Sequence, residues 1–154
     1  MGVKRFDDQD CGVAQALSEF GDGWTILIVR EALTGTTRFA DFQSNLGIAR
    51  NILTDRLRRL VEREILEKRL KDGSEKSYEY GLTPKGRDLW VVLTALRLWS
   101  DKWIFGAGNE PYVVKEKGSR RTVKGLRVVD GRGQPLDPTK LRWARGPGAT
   151  ELEA

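Results

Sequence analysis

Four polar side chains recur at helical spacing within one short run of the chain, Arg50, Asn51, Thr54 and Arg58. At 100° per residue they share a face with Asp55 and Glu62, while Ile52, Leu53, Leu57, Leu60 and Val61 line the other. The chemistry such a face supports is recognition rather than bond making. An arginine forks onto guanine O6 and N7 and an asparagine onto adenine N6 and N7, each worth about 1–3 kcal/mol of discrimination. Arg50 and Asn51 open the run, where a helix tip reaches furthest into a groove. Thr54 suits a thymine methyl or a phosphate, and Arg58, one turn deeper, suits the backbone. Asp55 is placed to orient a neighbouring arginine, and Arg56, at the apolar margin, to close an intramolecular salt bridge. Arg38, Arg69, Lys71 and Lys76 are candidates for phosphate contacts, which position a protein without reading sequence. A merely solvated polar face is the competing reading.

Catalysis has little to work with. The chain has no histidine and one cysteine, so neither an intrachain disulfide nor a His/Cys metal cage can form within it. It also lacks a glycine-rich phosphate loop and paired carboxylates at a convincing spacing. The reading is not an enzyme, with no cofactor and no metal.

The elements that must hold the polar face follow from periodicity. The helix spans about 49–63. Before it, Phe39, Phe42 and Leu46 give a shorter helix a face to pack on it, with Asn45-Leu46-Gly47 as the turn. After it, 66–71 and 77–82 flank Asp72-Gly73-Ser74, a hairpin signal. Two packed helices followed by a basic hairpin make a winged helix-turn-helix, one helix offered to a DNA groove and the hairpin to the backbone beside it. Upstream, Val13, Ala14, Leu17 and Phe20 predict a helix ending at Gly21-Asp22-Gly23. A second, from Trp24 to Leu33, is apolar nearly all round and should be buried. Downstream, Thr83-Pro84 starts a helix that runs to about Trp103. Leu89, Leu93, Leu96, Trp99 and Trp103 form its stripe, and Trp90, Val91, Val92 and Leu98 lie outside it. A terminal helix that is apolar on more than one face needs a second partner, most simply another copy of itself. Two-fold pairing predicts an inverted-repeat operator with half-sites ~10 bp apart or a multiple of that.

The fold class is therefore mainly α with a β-hairpin wing, plus a small β-rich C-terminal extension. The expected division is a flexible arm over 1–10, a DNA-binding and dimerisation domain over 11–105, and a basic extension over 106–154. In the extension, 112–114, 122–123 and 126–129 read as short strands, and the end, from Arg142, as disordered. The net charge of +5 is uneven: residues 48–87 carry 11 basic and 7 acidic side chains, and residues 111–148 carry 10 and 3. Both segments suit a polyanionic partner. With no apolar run of ~18 residues and no signal-peptide pattern, the expected location is the cytoplasm, at the nucleoid, with no membrane partner.

The run 11–17 (CGVAQAL), 20–33 (FGDGWTILIVREAL), 38–43 (RFADFQ), 48–61 (IARNILTDRLRRLV) and 80–89 (YGLTPKGRDL) resembles the HxlR family of bacterial winged-helix transcriptional regulators. The resemblance covers about 11–103. It implies a cytoplasmic homodimer, paired through its first and last helices, that represses or activates nearby genes. It implies three departures as well. Ala49 stands where relatives often carry a capping serine, Glu64 where a glycine usually ends the helix, and Lys117, Ser119, Val129 and Arg132 where some longer relatives hold a zinc knuckle. In several members a cysteine at the position of Cys11 senses oxidants or electrophiles, and a thiol near a helix start is readily acidified; a small buried hydrophobe is the alternative. A small aromatic ligand held between subunits by Trp24, Trp90, Trp99 or Trp103 is the rival effector, set against simple packing. The leading function is a sequence-specific double-stranded DNA-binding regulator, expected to act as a repressor. The alternative is a winged-helix module that binds nucleic acid non-specifically or docks a protein.

Overall fold

The computed structural model describes Gln9, residues 11–74 and residues 76–148. The expected arm, except Gln9, and the last six residues lie outside the described residues. Five helices and one hairpin follow in the order α1 Gly12–Phe20, α2 Gly23–Leu33, α3 Phe39–Leu46, α4 Arg50–Glu62, β1 Leu66–Leu70, β2 Tyr78–Leu82 and α5 Pro84–Ser100. This is a winged helix-turn-helix. Two compact units divide within α5, at Leu93 and Thr94.

The core of the first unit is one cluster in which Ile28 and Val29 of α2, Phe42 of α3, and Leu53, Leu57 and Leu60 of α4 are fully buried. Ile48, in the turn between α3 and α4, and Leu89 of α5 join it. Each buried leucine contributes about 2 kcal/mol of transfer free energy. Burying 53, 57 and 60 together turns the opposite face of α4 outward. Helix α2 is less enclosed than its composition suggests, with Trp24, Ile26, Leu27 and Leu33 only half-buried.

Caps set the element boundaries. Asp22 caps α2, accepting from the Thr25 N–H at 3.2 Å, and the Thr25 hydroxyl donates to the same carboxylate. Ala49 occupies the N-cap of α4 with no side-chain bond, as its type dictates. At the other end of α4 the chain turns as a glycine would turn it, although the residue is Glu64, at φ 56°. The Glu64 N–H donates to Val61 O at 3.0 Å and the Ile65 N–H to Leu60 O at 2.9 Å, with Ile65 and Leu60 both buried. This pair of bonds is the Schellman closure, made here without its usual glycine. Thr83 then ties this corner to α5. Its hydroxyl donates to Glu64 O at 2.6 Å and accepts from the Gly86 N–H at 3.0 Å. A Cβ at Gly86 would overlap the carbonyl oxygen of Ile65, so only glycine fits there.

The expected hairpin forms, pairing Leu66 with Leu82 through Leu70 with Tyr78. Its loop closes on Gly73 at φ 75° and on Ser74 Oγ, which accepts from the Ser77 N–H at 2.9 Å. β2 is also held from its other edge, where the Tyr80 N–H donates to Thr37 O at 2.8 Å.

α5 continues beyond Ser100 as a π-helical turn, Asp101–Phe105, so the helical run reaches past the expected end near Trp103 with its last turn widened. The expected strands of the extension reduce to two isolated antiparallel bridges, Lys115 with Thr122 and Val129 with Pro135, plus a single 3-10 turn at Pro138–Lys140. Segments this short, split by Gly118, Gly125, Gly131 and Gly133, cannot extend a ladder beyond one pair. Arg97 fixes the extension by pairing with Asp101 and donating from Nη2 to Val123 O at 3.1 Å.

A left-handed non-glycine residue costs about 1–2 kcal/mol. Glu64→Gly should therefore raise stability by about 1 kcal/mol, partly offset by the freer unfolded chain. The check is the urea midpoint, which should rise with an unchanged slope.

Candidate nucleic-acid interface

Helix α4 presents an open depression lined by Arg50, Asn51, Thr54, Asp55 and Arg58. The sequence-predicted face is thus assembled on one exposed surface, but its cations are not equally free. Asp55 sits at the centre. Its carboxylate takes Arg56 Nη1 at 2.5 Å, Arg58 Nη2 at 2.8 Å and Arg59 Nε at 2.9 Å. Burial alone would push the Asp55 carboxyl up. The hydrogen bonds from Arg58 and Arg59 and the charges of Arg59 and Arg56 outweigh it and hold the group below the ordinary carboxylate range.

Arg56 is 15% exposed and reaches back to Asp22 Oδ1 at 3.0 Å, so the residue that caps α2 also anchors α4. This is the intramolecular salt bridge expected at the apolar margin. Arg58 is exposed yet held twice, by Asp55 and by Glu62 Oε1 at 2.5 Å. Its hydrogen bond to Asp55, then that to Glu62, raises its already high pKa. Arg63 pairs with Glu19, which also takes Lys85 Nζ at 2.8 Å. Burial would raise the Glu19 pKa, but the Lys85 hydrogen bond and the Arg63 charge bring it below the ordinary value.

Arg50 is different. Its guanidinium lies 5.6 Å from the centre of the Phe39 ring, at the start of α3, and it makes no ion pair with a described residue. Asn51, beside it, is exposed with its amide unengaged among the described residues. The Thr54 hydroxyl donates to Arg50 O at 2.8 Å, which leaves its lone pairs as acceptors on an exposed residue.

The hairpin and the start of α3 carry the remaining candidates. Arg38 Nε meets Glu79 Oε1 at 3.4 Å, and Arg69 Nη1 meets Glu67 Oε1 at 3.6 Å, both at the surface. Lys71 and Lys76 flank the loop tip and form no ion pair with a described residue; Lys76 is exposed. Lys68, which sequence reasoning passed over, lies 4.3 Å above the Tyr78 ring, with Tyr78 and Leu70 exposed at the wing tip. Sequence reasoning also missed Asp22, though an aspartate between two glycines, three residues before Thr25, is a legible N-cap signal.

Cys11 stands at the N-cap of α1 as an exposed free thiol with no side-chain cap bond. It is not a buried hydrophobe. Among the tryptophans, Trp24 packs against the core cluster, while Trp90, Trp99 and Trp103 are exposed. No group of His, Cys, Asp and Glu among the described residues could hold a metal ion, and no helix of theirs is long and apolar enough to cross a membrane.

The model of the HxlR-like helix-turn-helix family matches residues 19–106. An HTH-type transcriptional regulator of Mycobacterium tuberculosis, Rv3095, is 39% identical over 100 residues, 65% of this chain and 62% of that protein, so the match spans under two thirds of the relative's own length. The crystal structure of PA1607 covers 93% of this chain and 100% of that one at 39% identity, with a TM-score of 0.82. The quinone-bound structure of YodB from Bacillus subtilis covers 60% of this chain and 99% of that one at 28% identity, with a TM-score of 0.52.

The lowered carboxyls make an acid prediction. Asp55 and Glu19 contribute stability that is present above the ordinary carboxylate range and is lost as pH falls through their lowered values. The urea midpoint should fall between about pH 6 and pH 3, and Asp55→Asn should flatten that fall while lowering the midpoint near neutrality. An equally steep fall in the variant would show that Asp55 is not among the responsible groups.

Proposed function

The chain belongs to the HxlR-like helix-turn-helix family, and we propose that it is a sequence-specific double-stranded DNA-binding transcriptional regulator. One observation carries the reading end. Of the arginines on α4, Arg56, Arg58 and Arg59 are neutralised by Asp22, Asp55 and Glu62. Only Arg50, beside the unengaged Asn51 at the exposed N-terminal tip, has no carboxylate partner among the described residues. That is the end of a recognition helix that contacts base edges. A cation left unpaired beside an amide that accepts and donates is suited to reading G and A. Arg58 serves the backbone only by giving up its carboxylates, which makes it a weaker contact than its exposure suggests. Lys71 and Lys76, with Arg38 and Arg69 released from their long surface pairs, supply phosphate contacts.

The regulator acts as a homodimer on an inverted repeat in the cytoplasm. The support is α5, which leaves Trp90, Val91, Leu96 and Trp99 exposed, more apolar surface than a helix of a monomer ordinarily leaves uncovered. Its control by an oxidant or electrophile is favoured over an aromatic ligand. Cys11 is exposed at a helix start, and the similar YodB is known in a quinone-bound form. Cys11→Ser should leave DNA binding intact and abolish release by a quinone, read by mass shift and gel retardation together. Release that survives the substitution would remove Cys11 from the control.

Recovery of genomic fragments bound by the full chain yields the operator. Arg50→Ala should cost about 1–3 kcal/mol on that operator and relax preference at one base position. Lys76→Ala should weaken all duplexes alike and reduce the salt slope by about one. Equal affinity of the unaltered protein for operator and scrambled duplex, at one stated salt concentration, would favour the non-specific module instead.

A further inference from the structure

Resting on that reading, we propose that the C-terminal unit carries a duplex-binding surface of its own, the cationic tips of two tight turns that contact DNA phosphates. The first turn closes with the Ser119 N–H on Glu116 O at 3.1 Å and the Glu116 N–H on Arg121 O at 2.9 Å, Gly118 taking φ 76°. Its tip offers Lys117 and Arg120. The second closes with the Gly133 N–H on Asp130 O and the Asp130 N–H on Gln134 O, both at 2.9 Å. Its tip offers the exposed Arg132 between Gly131 and Gly133, where an added Cβ would meet nothing within 4 Å.

The carboxylates decide which cations are available. Residues 111–148 hold three, Glu116, Asp130 and Asp137. Glu116 is taken by Arg121 Nε at 2.7 Å. Asp130 Oδ1 accepts the N–H groups of Arg132 and Gln134, both at 2.8 Å, and so builds the turn instead of neutralising the Arg132 guanidinium. Asp137 caps the 3-10 turn through the Thr139 N–H at 3.0 Å and faces Lys140. Lys117, Arg120 and Arg132 are thereby left exposed, without an ion pair to a described residue, on turns whose shape their own backbones fix. Like charges left unneutralised on preorganised turns cost stability unless an anion meets them.

A phosphate polymer supplies anions at regular spacing. Once α4 is docked, the rest of the same duplex is present at high effective concentration. No base is read, so the surface adds affinity without altering sequence preference.

The test compares the full-length protein with Lys117→Gln/Arg120→Gln/Arg132→Gln on two duplexes, the recovered operator alone and the operator with about one further helical turn (~10 bp) on each side. The unaltered protein should bind the longer duplex about tenfold more tightly, and the triple variant should lose that gain while keeping its preference for operator over scrambled sequence. The salt slope should fall by ~0.9 for each phosphate contact removed. Arg120→Lys/Arg132→Lys should retain both effects, and an unchanged thermal midpoint in all variants excludes misfolding. Equal slopes for the variant and the unaltered protein overturn the proposal, as does an effect seen only on single-stranded RNA or with an acidic protein. If α4 does not discriminate sequence, operator and scrambled duplexes bind alike, yet the slope difference still reports on the turns.

Discussion

The structure depends on burying one edge of α4. Leu53, Leu57 and Leu60 must pack on α2 and α3 to complete the core cluster of the first unit. A helix with three leucines at that spacing has no freedom to rotate once they are in place. Everything on the opposite face is exposed as a consequence. The turn between α3 and α4 is pinned by the same cluster through Ile48, and the wing through Leu66. Orientation of the polar face is thus a property of the hydrophobic core, which makes it rigid and insensitive to the identity of the polar residues.

Electrostatics then selects among the residues that the core has exposed. Asp55 alone engages Arg56, Arg58 and Arg59, and Asp22 draws Arg56 further inward. These pairs lie at or near the surface, where each contributes at most about 1 kcal/mol. Their effect on availability is larger than their effect on stability, because an arginine already held by two carboxylates must exchange them for phosphate. The gross charge of the segment over 48–87 overstates what DNA would meet. Among the candidates over 48–87, Arg50 at the tip of α4 and Lys71 and Lys76 at the wing loop have no ion pair to a described residue.

Joints outside the core keep these two sites in register. The Tyr80 N–H on Thr37 O holds β2 to the loop that leads into α3, while Thr83 and Gly86 lock the corner after α4 to the start of α5. Glu19 adds a charged clasp between α1, the C-cap of α4 and α5 through Arg63 and Lys85. The C-terminal unit is built otherwise. It has two isolated bridges and closed turns in place of strands, and holds Lys117, Arg120 and Arg132 without an ion pair to a described residue.

The periodic features were readable without coordinates. The helices over 12–20, 39–46 and 50–62, the hairpin over 66–82 and the Thr83-Pro84 start all follow from side-chain period, turn chemistry and capping, which act over a few residues. The candidate residues were also gathered on one face by spacing alone. Which of them are free was not readable, because that depends on partners distant in sequence. Arg56 finds Asp22 across 34 residues, Arg63 finds Glu19 across 44, and Arg38 finds Glu79 across 41. The extension misled for a related reason. Runs such as 126–129 have strand composition, but a strand exists only where another chain segment pairs along its length, and here Val129 meets just Pro135. Local sequence determined the elements and the face they present; the tertiary fold decided the charge that face still carries, because ion pairs and ladders are made in space between segments that sequence proximity does not connect.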